Sequence, residues 1–124
     1  MSSRIRNAAR RMEERMSEPL TVAMLAREFN LSPSRFAHLF REEFGVSPMR
    51  YLHTQRMLRA RILLEGTFLT VKEVMVQVGC SDPSHFTRDF RRFHGVPPKE
   101  WRAAFGGRSR DAREEGPPQR SRGP

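Results

Sequence analysis

At 124 residues and 37% hydrophobic content, the chain can form one domain or two very small ones sharing a core. Twenty-three basic residues against 14 acids give a net charge of +9, which suits a polyanion: nucleic acid first, an anionic membrane surface second. One cysteine, Cys80, excludes an internal disulfide and fits a reducing cytoplasm. The scattered histidines (His38, His53, His85, His94) have no metal-ligand spacing, so no metal or cofactor is expected.

The first predicted element is a helix over residues 4 to 16, with Ile5, Ala8, Ala9, Met12 and Met16 near helical spacing. Pro19 stops it. Thr21 can cap a short helix from Val22 to Phe29, and Asn30 can supply the left-handed residue that ends it. Ser32-Pro33 is an N-cap followed by proline at the first helical position, opening a helix that runs to Phe44 and stops at Gly45. Ser47-Pro48 repeats that signal and opens the longest helix, Pro48 to Leu64. Its apolar residues, Ile62 among them, cover more than one stripe, as in a strut packed on both sides. Thr70 caps Val71 to Val78, Asp82-Pro83 opens a helix closed by Gly95, and Pro98 starts a last one through Trp101 to Phe105. No apolar run approaches the ~20 residues of a membrane span, and the N-terminus has no signal-peptide core. From Gly106 the text turns to glycine, proline and arginine, which cannot bury enough surface to offset ordering entropy. The expected organisation is therefore an N-terminal helix (1–19), a first helix-turn-helix (20–47), a linker helix (48–64), a second helix-turn-helix subdomain (65–105) and a disordered tail (106–124).

The chain writes one pattern twice. At an offset of 50 residues, Pro33/Pro83, Ser34/Ser84, Phe36/Phe86, Phe40/Phe90, Arg41/Arg91, Gly45/Gly95, Val46/Val96 and Pro48/Pro98 are identical, and Tyr51/Trp101 is aromatic in both. Upstream, an offset of 49 brings Leu25/Val74 and Phe29/Val78 into register. A short helix, a tight turn and a longer helix form the helix-turn-helix outline. On a helical wheel, Phe36, Leu39, Phe40 and Phe44 share one face of the first long helix; Ser34, Arg35, His38, Arg41 and Glu42 share the other. In the second copy Phe86, Phe90 and Phe93 are buried-side, and Ser84, His85, Arg88, Arg91 and Arg92 face outward. Such polar, basic N-terminal ends are what enter the major groove, where arginine and histidine can donate to guanine and serine or threonine can bond either kind of base edge. A 17-residue strut spans roughly 25 Å, which allows the two long helices to sit about 34 Å apart and meet successive major grooves. Two unlike faces imply a site that is not palindromic.

These residues resemble the DNA-binding region of the AraC/XylS transcription regulators, from about Leu20 to Arg102. The resemblance is carried by "LAREFNLSPSRFAHLFREEFGVSPMRYL", by Arg56, Ala60, Leu63 and Leu64 on the strut, and by "VGCSDPSHFTRDFRRFHGVPPKEWR". It implies an all-α fold of about seven helices: two helix-turn-helix subdomains joined by a long linker helix, bound to double-stranded promoter DNA as a monomer, with RNA polymerase as a further partner. Base contacts are expected at Ser34, Arg35, Ala37 and His38 and at Ser84, His85, Thr87 and Arg88; phosphate contacts at Arg41, Arg91, Arg92 and Lys99. Arg56 resembles a strut arginine that serves structure. The chain departs from the family at Val74-Met75, where Ile-Ala is usual, and at Cys80, where phenylalanine follows the glycine. Met75 is bulkier than alanine, so the packing there must adjust. Ala37 offers only a methyl group, so the first unit is expected to read sequence weakly and mainly to anchor. Many members carry a ligand-sensing domain ahead of this region; the initial Met and the tail point to a stand-alone regulator rather than an excerpt of a longer chain.

Other chemistries fit less well. Asp82, Ser84 and His85 crowd one helix start and point in different directions, which is no nucleophile–base geometry, and no paired carboxylates, phosphate loop or metal cluster supports an enzyme. Cys80, at a turn, reads as a small buried hydrophobe rather than a redox sensor. The rival reading is a basic module that binds nucleic acid or RNA polymerase without reading sequence.

Overall fold

Capping and proline signals decide where each helix begins. The computed structural model describes residues 3–106, so the tail expected beyond Gly106 lies outside the described residues. The chain divides into two compact units, Met1–Arg56 and Met57–Pro124. Among the described residues there are seven helices and no strand: α1 (Ser3–Glu14), α2 (Val22–Glu28), α3 (Pro33–Phe44), α4 (Pro48–Gly66), α5 (Val71–Gln77), α6 (Pro83–His94) and α7 (Pro98–Phe105). Helix α1 ends earlier than its apolar spacing predicts, although Met16 beyond it is still buried. Helix α4 continues two residues past Leu64.

In the first unit the Thr21 hydroxyl accepts from the Met24 amide at 3.1 Å, and Ser32 Oγ accepts from the Arg35 amide at 3.1 Å. Each satisfies one donor that a helix start leaves orphaned. The turn between α2 and α3 is closed by Asn30 at φ 58 and by the Leu31 amide on the Ala26 carbonyl. Gly45, at φ 79, ends α3 in a backbone region that costs glycine little. The core is Ile5, Ala8 and Met12 of α1, Leu25 and Ala26 of α2, Phe36 and Phe40 of α3, and Leu52 of α4, all fully buried or nearly so. Burying each large side chain contributes about 1.5–3 kcal/mol. Phe40 stacks on Phe44 at 4.7 Å and meets the Tyr51 ring edge-on at 5.4 Å. The Tyr51 hydroxyl donates to the Glu13 carboxylate. The Arg56 guanidinium donates to the carbonyls of Met16 at 2.9 Å and Glu18 at 2.8 Å, capping the chain as it leaves α1. Arg56 is thus a structural arginine, as the resemblance implied.

The second unit repeats this plan. Thr70 and Glu73 form a reciprocal capping box at the start of α5, and Asp82 caps α6. Met57, Ala60 and Leu64 of α4, Val74 and Met75 of α5, Val78, and Phe86 and Phe90 of α6 are buried. Met75, at 6% exposure, is accommodated in that core despite its bulk. Trp101 Nε1 donates to Glu65 at 2.9 Å, and Arg102 donates to the carbonyls of Leu64 and Thr67, both at 3.3 Å. These contacts are the counterparts of Tyr51–Glu13 and of Arg56 at the end of α1. The repeat therefore reaches further than the helix-turn-helix. At an offset of 52, Ile5/Met57, Ala8/Ala60, Met12/Leu64 and Glu13/Glu65 occupy equivalent places, so the second half of α4 does for its unit what α1 does for the first.

Five side chains depart from the sequence reading. Phe93, placed on the buried side by its wheel position, is 40% exposed. The aromatic cluster takes His94 instead, 4.4 Å from Phe90 and 5.4 Å from Trp101, with its ring N–H donated to the Met57 carbonyl at 3.0 Å. His94 stands where Phe44 stands in the first unit, and Phe93 corresponds to Glu43 at the rim. Leu39 and Phe44 are half-buried rather than enclosed. Ile62 is exposed, because the stripe of α4 used by the second core runs through Met57, Ala60 and Leu64. Cys80 is half-buried, its amide bonded to the Met75 carbonyl in the turn before α6.

Candidate nucleic-acid interface

The packing of the phenylalanines fixes which side of each long helix is left to solvent. With Phe36 and Phe40 buried, α3 turns Ser34, Arg35, His38, Arg41 and Glu42 outward, all exposed; Ala37 is half-buried at the edge of that face. With Phe86 and Phe90 buried, α6 exposes Ser84, His85, Thr87, Arg88, Arg91 and Arg92. Lys99 is exposed in the first turn of α7. Every residue named as a candidate contact is accessible at least in part.

The two starts are held differently. On α3 the cap is a neutral hydroxyl, Ser32. On α6 it is a carboxylate: Asp82 Oδ1 accepts from the Ser84 amide at 2.9 Å and the His85 amide at 3.2 Å. The bond from the His85 backbone, ahead of the nearby His85 and Arg88 charges, holds the Asp82 carboxyl below its usual range, so it is ionised at neutral pH. That cap fixes the backbone from which His85 and Thr87 project.

The two helices as wholes also differ in charge. Two arginines against two glutamates leave α3 neutral, whereas three arginines against one aspartate leave α6 at +2 with histidines neutral. On α3, His38 Nε2 pairs with Glu42 at 3.1 Å. Arg88 lies 4.0 Å from Asp89, and His85 Nδ1 lies 3.9 Å from the second Asp82 oxygen. Glu42 was visible on the outward face in sequence, but its pairing with a candidate reading residue was not; the i,i+4 spacing was the available signal. Among the described residues no cluster of three or more His, Cys, Asp or Glu side chains could hold a metal ion. No helix of the described residues is long and apolar enough to cross a membrane.

Two helix-turn-helix units, each presenting a capped helix with a polar outer face, define a bipartite helix-turn-helix protein. A profile of the helix-turn-helix domain family matches residues 25–104. The chain is 35% identical over 104 residues to the arabinose operon regulatory protein of Salmonella typhimurium, covering 83% of this chain and 37% of that protein. Against its Escherichia coli counterpart it is 34% identical over 104 residues, 83% and 36% respectively. Among solved structures, the C-terminal domain of AraT, a response regulator from Geobacillus stearothermophilus, matches with a TM-score of 0.78 at 29% identity, over 82% of this chain and 85% of that one. The DNA-binding domain of the global transcriptional factor AdpA, solved in complex with a target DNA, matches with a TM-score of 0.78 at 31% identity, over 91% and 97%. The chain belongs to the AraC/XylS family of helix-turn-helix regulators. It spans a little over a third of the length of the two arabinose regulators.

Proposed function

We propose that the chain is a sequence-specific DNA-binding transcriptional regulator that sets α3 and α6 into successive major grooves of a non-palindromic promoter site. The observation that carries this reading is the outer face of α6. It presents donors for base edges (Ser84, His85, Thr87, Arg88) followed by cations for phosphates (Arg91, Arg92), on a backbone pinned by Asp82 and a buried phenylalanine pair. The likeness to a DNA-binding domain solved on its target supports it. On α3, Ser34, Arg35, Ala37 and His38 take the equivalent base-facing places and Arg41 the phosphate-facing one. Lys99 adds a cation beside the first turn of α7.

In this reading the protein acts as a monomer on DNA in the cytoplasm, touches RNA polymerase as a regulator at a promoter, and is a binder rather than an enzyme. Selection of bound duplexes from a random library, followed by footprinting of the winner, tests it. Two protected groove segments on one face, with a large affinity ratio over scrambled duplex, are expected. A ratio near unity would leave only a basic module without sequence readout.

A further inference from the structure

The one carboxylate that α3 turns fully outward is Glu42. Its neighbour Glu43 is engaged elsewhere, with Arg6 of α1 at 2.9 Å and only 20% side-chain exposure. Glu42, by contrast, is 63% exposed, and its partner is His38, four residues back on the same helix. A polar contact so open to water adds little to stability, so the fold does not account for it. The internal repeat supplies a comparison. At the offset of 50, His38 corresponds to Arg88 and Glu42 to Arg92. Where the second unit carries two cations one turn apart, the first carries a histidine held by a carboxylate.

We propose that Glu42 is an affinity-tempering residue: its carboxylate, beside His38 on the outward face of α3, weakens the first unit's hold on the phosphate backbone without touching a base. This rests on the reading that α3 lies against DNA. Glu42 stands one residue beyond Arg41, on the stretch that faces phosphates, and phosphate attraction is the same for every sequence. A negative charge there lowers affinity for cognate and random duplex by the same factor. Residence time is then decided by the bases read from α6.

The test compares the unaltered protein with Glu42→Gln, which keeps an acceptor for His38, and with Glu42→Arg, which copies the second unit. Binding to the library-selected duplex and to a scrambled duplex is measured over a salt series, with a thermal melt of each protein. Glu42→Gln should tighten binding to both duplexes about fivefold, the effect of removing one like charge a few ångströms away in water. Glu42→Arg should tighten it further and steepen the salt slope by about one unit. The melts should stay unchanged. Unaltered binding by both variants overturns the proposal. So does a loss confined to the selected duplex, which would make Glu42 a reader of a cytosine amino group. If the unaltered protein itself prefers no duplex, the DNA reading falls first and takes this inference with it; if it does prefer one and the variants behave as it does, only this inference falls.

Discussion

The two units share a skeleton and differ at their surfaces. Both pack a Phe-x3-Phe pair from the long helix, both end that helix on a left-handed glycine, and both tie an aromatic donor to a glutamate three helices earlier. What differs is the outward face, Arg35, Arg41 and Glu42 on α3 against Arg88, Arg91 and Arg92 on α6, and the group that caps it, Ser32 or Asp82. A duplicated scaffold keeps the residues that hold it and lets the outward positions diverge, since those carry almost no folding energy. On the proposed DNA-binding reading, this asymmetry makes the second unit the reader and the first the anchor.

The shared skeleton is broken most severely through its phenylalanines. Phe90→Ala and Phe40→Ala should each cost about 3–5 kcal/mol, and similar losses in chemical denaturation would confirm equivalent cores. A clear inequality would show that the repeat is one of sequence and not of packing. The asymmetry of the faces is tested next. Arg88→Ala or His85→Ala should lose about 1–3 kcal/mol on the selected duplex with little change on scrambled DNA, whereas His38→Ala should lose less. Equal effects from the two helices in competition binding would erase the reader–anchor distinction. Smaller still, Arg91→Ala and Arg41→Ala should each weaken binding to all duplexes and reduce the salt slope by about one unit. A change restricted to one sequence would move either arginine from phosphate to base.

Much of this was written in the chain. Caps and prolines at Ser32-Pro33, Ser47-Pro48, Thr70 and Asp82-Pro83 placed helix starts correctly, because an orphaned amide needs a particular side chain one residue before the helix. The outward faces followed from the buried phenylalanines. The repeat of α1 in the second half of α4 was missed, because only Ala8/Ala60 and Glu13/Glu65 of its matched core and bonding positions are identical, while Ile5 and Met57, or Met12 and Leu64, share burial and not identity. Phe93 was misplaced because a wheel knows only the angle on its own helix. The place in the cluster belongs to the residue that Trp101 of α7 reaches, which is His94. The His38–Glu42 pair went unweighed for a related reason, since spacing marks a pair as feasible and only coordinates show it formed.

The finest test of the comparison is pH, because the two units carry different titrating groups at equivalent places. Burial, with help from Glu13, pushes the Tyr51 hydroxyl from the ordinary value of 10 up to about 12; its counterpart Trp101 does not titrate. A raised value in the folded state means that this contribution is whole below pH 10 and is lost as pH rises toward about 12, so alkali should loosen the first unit. Asp82 runs the other way. Its lowered value means a contribution that is whole above the ordinary 3.8 and is lost as pH falls below it, so acid should loosen the start of α6. Ser32, at the equivalent cap, has nothing to protonate. Amide hydrogen exchange followed across both limbs should therefore show alkaline loss of protection concentrated in Met1–Arg56 and acid loss at the first turn of α6. Tyr51→Phe should flatten the first and Asp82→Ser the second. Loss spread evenly over both units at either extreme would mean that the cores respond to net charge as a whole, and that these two substitutions between the repeats have no separate energetic consequence.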